Sequence, residues 1–222
     1  MTGVPGPISA VELRRLIGRA ATDIYGRKIG RVVALSLNTD GELQSIEIQP
    51  EGSQLLRYPS HCIMLYKDAL VLLPQWKVET EAICKELKFI EKRVNALNEL
   101  MSDKELPREV YEEFRRNQEA ALAETRRKGE LLLHQLKEKM QKIADEVAEL
   151  TSFLVALKLE YRAGEMDKEA LDSAHQAVEP SLKAAVAEKQ DIENTLTELS
   201  KLCQPQEEQC IPHSSLTLRI RD

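Results

Sequence analysis

Between residues 136 and 161, apolar side chains fall at Leu136, Met140, Ile143, Val147, Leu150, Leu154, Leu157 and Tyr161. The step alternates four and three without a miss, which is the heptad repeat of a helix carrying one narrow apolar stripe. Lys137, Glu138, Lys139, Asp145, Glu146 and Glu149 fill the positions between and keep the other faces in water. A stripe that narrow is buried most readily against another helix wound along it. This segment therefore requires a helical partner, drawn from the same chain, from a second copy, or from both.

Composition points the same way. Only 4% of the 222 residues are aromatic while 31% are charged, which is poor material for a large globular core and good material for long solvated helices. A second seam with the same step runs through Ile83, Leu87, Ile90, Val94, Leu97 and Met101. Proline breaks a helix interior but suits its first turn, so Pro107 predicts that one helix ends near Ser102 and the next begins there. Gly164 predicts a second break, and a third helix follows with Leu171, Val178, Leu182, Val186, Ile192, Leu196 and Leu199 on its apolar side. Bends are expected near Gly129 and at Pro180. Residues 94–112 and 154–172 align at an offset of 60, each as helix, short reversal, helix. A reversal at Gly164 makes an αα-hairpin, whereas the first break reads equally as a kink in an extended rod.

The chain before residue 76 is different material. Residues 28–37, 42–49, 55–58, 62–66 and 70–73 read as short strands separated by turn residues, among them Asp40-Gly41. Ile46 and Ile48 share one face of the second, opposite Glu47 and Gln49. So many short strands in so few residues predict a small closed barrel, which removes open sheet edges. At the other end, residues 214–221 alternate strictly, with Leu216, Leu218 and Ile220 on one side. A lone strand of that length is not stable in water, but it can extend the edge of another sheet.

Catalysis and metal binding find little purchase. His61, His134, His175 and His213 lie in different elements, and Cys62, Cys84, Cys203 and Cys210 have no CxxC spacing, so they read as reduced thiols. No catalytic, cofactor or metal site is expected. The net charge of −6 argues against a protein that coats nucleic acid, although Arg115, Arg116, Arg126, Arg127 and Lys128 offer a local basic patch for DNA. Interleaved Glu119, Glu124 and Glu130 explain the same residues as ordinary solvated helix charge. No stretch approaches the roughly 20 apolar residues of a membrane span, and the first residues carry no targeting pattern, so a cytoplasmic protein is expected.

Two resemblances sharpen these readings. Leu16-Ile17-Gly18-Arg19, Asp23-Ile24-Tyr25-Gly26 and Lys28-Ile29-Gly30-Arg31-Val32 resemble the opening of a PRC-barrel domain, whose glycines shape tight turns and whose Ile29 and Val32 point inward. The order of parts is similar to the CdvA family of archaeal cell-division proteins, and residues 93–100, with Glu105-Leu106 and Glu109-Val110-Tyr111, carry that likeness in the coiled coil. The resemblance implies a lead at 1–12, a PRC-barrel-like domain at 13–76, a coiled-coil domain at 77–203, a linker at 204–213 and a partner-binding strand at 214–222. It implies a membrane-associated scaffold at the division site that forms homodimers and filaments through its coiled coil. It further implies recruitment of an ESCRT-III-like partner, CdvB, whose winged-helix sheet the strand with Leu216, Leu218 and Ile220 would complete.

Overall fold

A computed structural model describes residues 14–52, 54–66 and 69–204. Six strands come first: β1 (Ala20–Asp23), β2 (Lys28–Leu37), β3 (Leu43–Gln49), β4 (Leu56–Pro59), β5 (Ile63–Tyr66) and β6 (Ala69–Leu72). Three helices follow, α1 (Gln75–Ser102), α2 (Arg108–Ala163) and α3 (Lys168–Cys203). The class is α+β, with a sheet ahead of long helices. The C-terminal strand expected at Leu216, Leu218 and Ile220 lies outside the described residues.

Alternation places the core of the sheet. Ala21, Val32, Ile46, Ile48, Leu70 and Leu72 are fully buried together, with Leu16 beside them and Ile29 partly buried against the cluster. The strand order is β4-β3-β2-β1-β6-β5, antiparallel except for the parallel pair β1 and β6. β1 escaped the sequence reading because Ala-Ala-Thr-Asp has almost no apolar signature, yet Ala21 is completely buried.

The expected closed barrel is not found. The ladder ends at β4 on one side and β5 on the other, and among the described residues no pairing joins them. Even so, the sheet cannot be flat. β4 passes to β5 through the 3-10 turn Ser60–Cys62, and the four steps from Pro59 to Ile63 reach at most about 14 Å, whereas the edges of a flat six-stranded sheet stand about 24 Å apart. The sheet must therefore curl until its edges approach. The turn with its buried Cys62 stands between those edges, and strands of only four residues leave little length for closing hydrogen bonds.

The helices form two successive reversals. α1 ends at Ser102 and α2 starts after Pro107, whose φ of −60° suits the position. The Tyr111 hydroxyl donates to Asn98 Oδ1 at 2.9 Å across the turn, so the first break folds α1 back along α2 and is not a kink in a rod. Gly164 ends α2 in the left-handed conformation at φ 77°, and the Glu165 amide closes the turn on the Glu160 carbonyl at 3.0 Å. Asp167 then caps α3 by accepting from the Ala170 amide at 2.7 Å.

α2 has 56 residues, about 84 Å of helix, and its partners divide it. α1 covers the first half and α3 the second. All three meet only in the middle, where Trp76, Cys84, Leu87, Leu132, Leu136, Ile192, Leu199 and Cys203 share one buried cluster.

At both positions where a bend is expected the helix continues without interruption. The helix is unbroken through Gly129, which is buried because three helices converge on it: a Cβ there would lie 2.5 Å from Cys203 Sγ and near Ile83 and Leu199. Glycine here serves close approach. Gly129→Leu is expected to lower stability by at least about 2 kcal/mol, since overpacking outweighs the gain in helix propensity; thermal unfolding of the two proteins checks this. Helix α3 likewise runs through Pro180. Pro180 is exposed, so a carbonyl left without its amide donor there is open to water.

Candidate functional site

Two features stand out: the interhelical seam and the junction that holds the sheet to it. Along the seam, Leu136, Ile143, Leu154 and Leu157 of α2 are buried, as are Leu87, Ile90 and Leu97 of α1. Ile83, Val94, Met140, Val147 and Leu150 are half-buried, and Tyr161 is exposed. The seam of one chain is thus covered in large part by its own helices. Val186, counted on the apolar side of α3, is exposed instead; Ala184 and Ala185 face inward, small enough to let the helices approach.

Apolar surface nevertheless remains on both reversals. Phe89, Leu100 and Phe114 are exposed on the α1–α2 hairpin; Phe153, Val155 and Leu159 are exposed on the α2–α3 hairpin, Leu159 at 65%. Val155 and Leu159 are four residues apart and share a face that points away from the buried seam.

The basic residues of α2 are dispersed in their bonding. Arg115 pairs with Glu119, and Arg127 and Lys128 with Glu124. Arg116 donates to the Glu112 carbonyl, and Arg126 reaches the Gln204 carbonyl at 3.5 Å, where α3 ends.

The junction was not anticipated. Asp23 Oδ1 accepts from the amides of Tyr25 and Arg27 at 2.9 and 2.8 Å, closing the Asp-Ile-Tyr-Gly turn with Gly26 at φ 87°. That turn aims two side chains at α3. The Tyr25 hydroxyl donates to Asp191 Oδ2 at 2.8 Å, and Arg27 donates to Glu188. Lys77 of α1 pairs with the same Asp191 oxygen, while Lys139 of α2 pairs with Glu188 at 2.9 Å. Sheet and all three helices are therefore tied through two carboxylates on adjacent turns of α3.

Glu188 is 4% exposed. Burial alone pushes its carboxyl up, but the bonds from Arg27 and Lys139 outweigh that and hold it below the usual carboxylate range. Burial and the Asp191 bond push the Tyr25 phenol far above its ordinary value, so it stays a donor. The arrangement binds and orients; it brings no nucleophile to a base. One signal for it was present in the sequence: the apolar run of α3 lapses between Val186 and Ile192, where a carboxylate faces the core.

Among the described residues no helix is long and apolar enough to cross a membrane. The CdvA-like coiled-coil domain family matches residues 75–216, starting at the first residue of α1. Cell division protein A of Sulfolobus acidocaldarius is 30% identical over 190 residues, which cover 86% of this chain and 79% of that relative.

Proposed function

Because the chain belongs to the CdvA family of cell-division proteins, we propose that it is a non-enzymatic scaffold which assembles through its helices into dimers and filaments at the membrane of the division site. The observation that supports assembly is the large apolar side chains left exposed on both hairpins, among them Val155 and Leu159 on one face of α2, since apolar surface left open on an otherwise charged body is what an interface covers. In this reading the curled sheet is the PRC-barrel-like head, and the carboxylate junction gives it a fixed seat on the helices. The segment with Leu216, Leu218 and Ile220 recruits an ESCRT-III-like protein of the CdvB kind by adding a strand to its sheet.

Electron microscopy of the purified chain tests the scaffold. Polymers or dimers formed without nucleic acid are expected, and a monomer at micromolar concentration overturns the reading. Polymers that appear only with duplex DNA would favour instead a DNA-binding role for Arg115, Arg116, Arg126, Arg127 and Lys128. Deleting residues 214–222 is expected to abolish capture of the ESCRT-III-like partner in a pull-down while leaving polymers intact; unchanged capture removes the tail from the mechanism.

A further inference from the structure

The two hairpins differ in charge as well as position. Residues 85–128, spanning the α1–α2 reversal, hold eleven Lys and Arg against ten Asp and Glu, a net of +1. Residues 145–183, spanning the α2–α3 reversal, hold four against nine, a net of −5. Nearly the whole −6 of the chain therefore sits on one hairpin. Its Glu149, Glu160, Glu169 and Asp172 have no Lys or Arg partner among the described residues, and on the other hairpin Lys92, Arg93 and Arg116 have no carboxylate partner there.

Shape matches charge. α3 ends beside Gly129 and α1 begins beside Leu136, so among the described residues each reversal is only two helices thick. The free arms are comparable in length: α2 runs about 32 Å through residues 108–128 before α3 reaches it and about 40 Å through residues 137–163 after α1 leaves it. Each carries exposed apolar side chains amid the charge, Phe89, Leu100 and Phe114 on one, Phe153, Val155 and Leu159 on the other. Two such pairs laid together complete a four-helix bundle.

We propose that consecutive copies of this chain join end to end, the acidic α2–α3 hairpin of one laid against the α1–α2 hairpin of the next. The proposal deepens the scaffold reading and rests on it, naming the contact that builds the polymer. The two surfaces differ, so the contact is heterologous; repeated as a shift along the α2 axis with no closing rotation, it gives an open filament. With α2 about 84 Å long and an overlap set by the shorter arm at about 32 Å, the axial repeat is about 52 Å. A face two helices wide over that length buries roughly 1,300 Å² in all, at the low end of stable interfaces, so polymers should grow with protein concentration and weaken with salt.

The test uses full-length chains. Lys92→Glu/Arg93→Glu/Arg116→Glu takes the first hairpin from +1 to −5, and Glu149→Lys/Glu160→Lys/Glu169→Lys takes the second from −5 to +1, each exchange moving two charges. All six positions are exposed, and circular dichroism checks that the helices persist. Each triple variant alone is expected to lose sedimentable polymer at least tenfold, because like now meets like. An equimolar mixture is expected to recover it, since each variant then offers the other a complementary end. Wild-type polymer with no recovery on mixing overturns the end-to-end contact and leaves the scaffold standing; wild-type dimers without polymer in low salt overturn the contact alone, and a wild-type monomer sinks both.

Discussion

Glu188→Ala is expected to lower stability by about 2–3 kcal/mol and to loosen the sheet from the helices. Removing the carboxylate leaves the Arg27 guanidinium and the Lys139 ammonium facing each other in a site where Glu188 itself was only 4% exposed. Breaking a fully buried pair costs about 3–5 kcal/mol, but Arg27 and Lys139 side chains are 29% and 41% exposed, and water relieves part of the loss. The same carboxyl sets an acid limit. Its folded value lies below the ordinary one of 4.5, so its contribution is complete above that ordinary value and is lost as pH falls through the depressed one. Wild type should therefore lose more stability than Glu188→Gln on acidification below about pH 4.5. Urea titrations of both proteins across that range check this, and parallel curves would remove Glu188 from the junction.

The helical half of the fold was legible because its periodicity is long and its punctuation is local. A heptad repeat, Pro107 and Gly164 each act within a few residues, so the helices and their ends could be read directly. Orientation across the first break could not, since it depends on contacts made across the turn, such as Tyr111 with Asn98, which no helical periodicity encodes. Strands were harder. Ile46 and Ile48 announced their face by alternation, but β1 is buried through alanine, which carries no such signal. Closure of a barrel depends on whether β4 and β5 meet, a matter of curvature that no local pattern encodes. Apart from the lapse in the apolar run of α3, the junction left no mark in the sequence, for a related reason. Asp23 and Gly26 mark a turn, whereas the partners of Tyr25 and Arg27 lie more than 160 residues away on α3, in a stretch whose charge reads as ordinary helix surface. As for Gly129, the sequence marks a weak helical position, and only the packing shows that the missing side chain makes room for Cys203.

Gly30→Ala is expected to be the most damaging small change in the sheet, costing about 3 kcal/mol or more. A Cβ at this position would stand 2.3 Å from the Gln49 carbonyl oxygen and 2.9 Å from Ile48 Cγ2, closer than any atom pair tolerates. The obstruction is backbone, and that backbone is pinned: Arg31 is paired with Gln49 in the β2–β3 ladder, while Gly30 itself is paired with Ala21 of β1. Relief requires separating β2 from β3, which would expose Ile46 and Ile48, both fully buried. Gly26 makes the control. It has φ 87° but open space where a Cβ would go, so Gly26→Ala should cost only the strain of a left-handed residue, about 1 kcal/mol. Because the helices hold their own core, Gly30→Ala should leave the far-ultraviolet helical signal nearly intact while limited proteolysis cuts within residues 20–72. Equal losses for the two variants would mean that conformation, and not close packing, is what glycine provides at position 30.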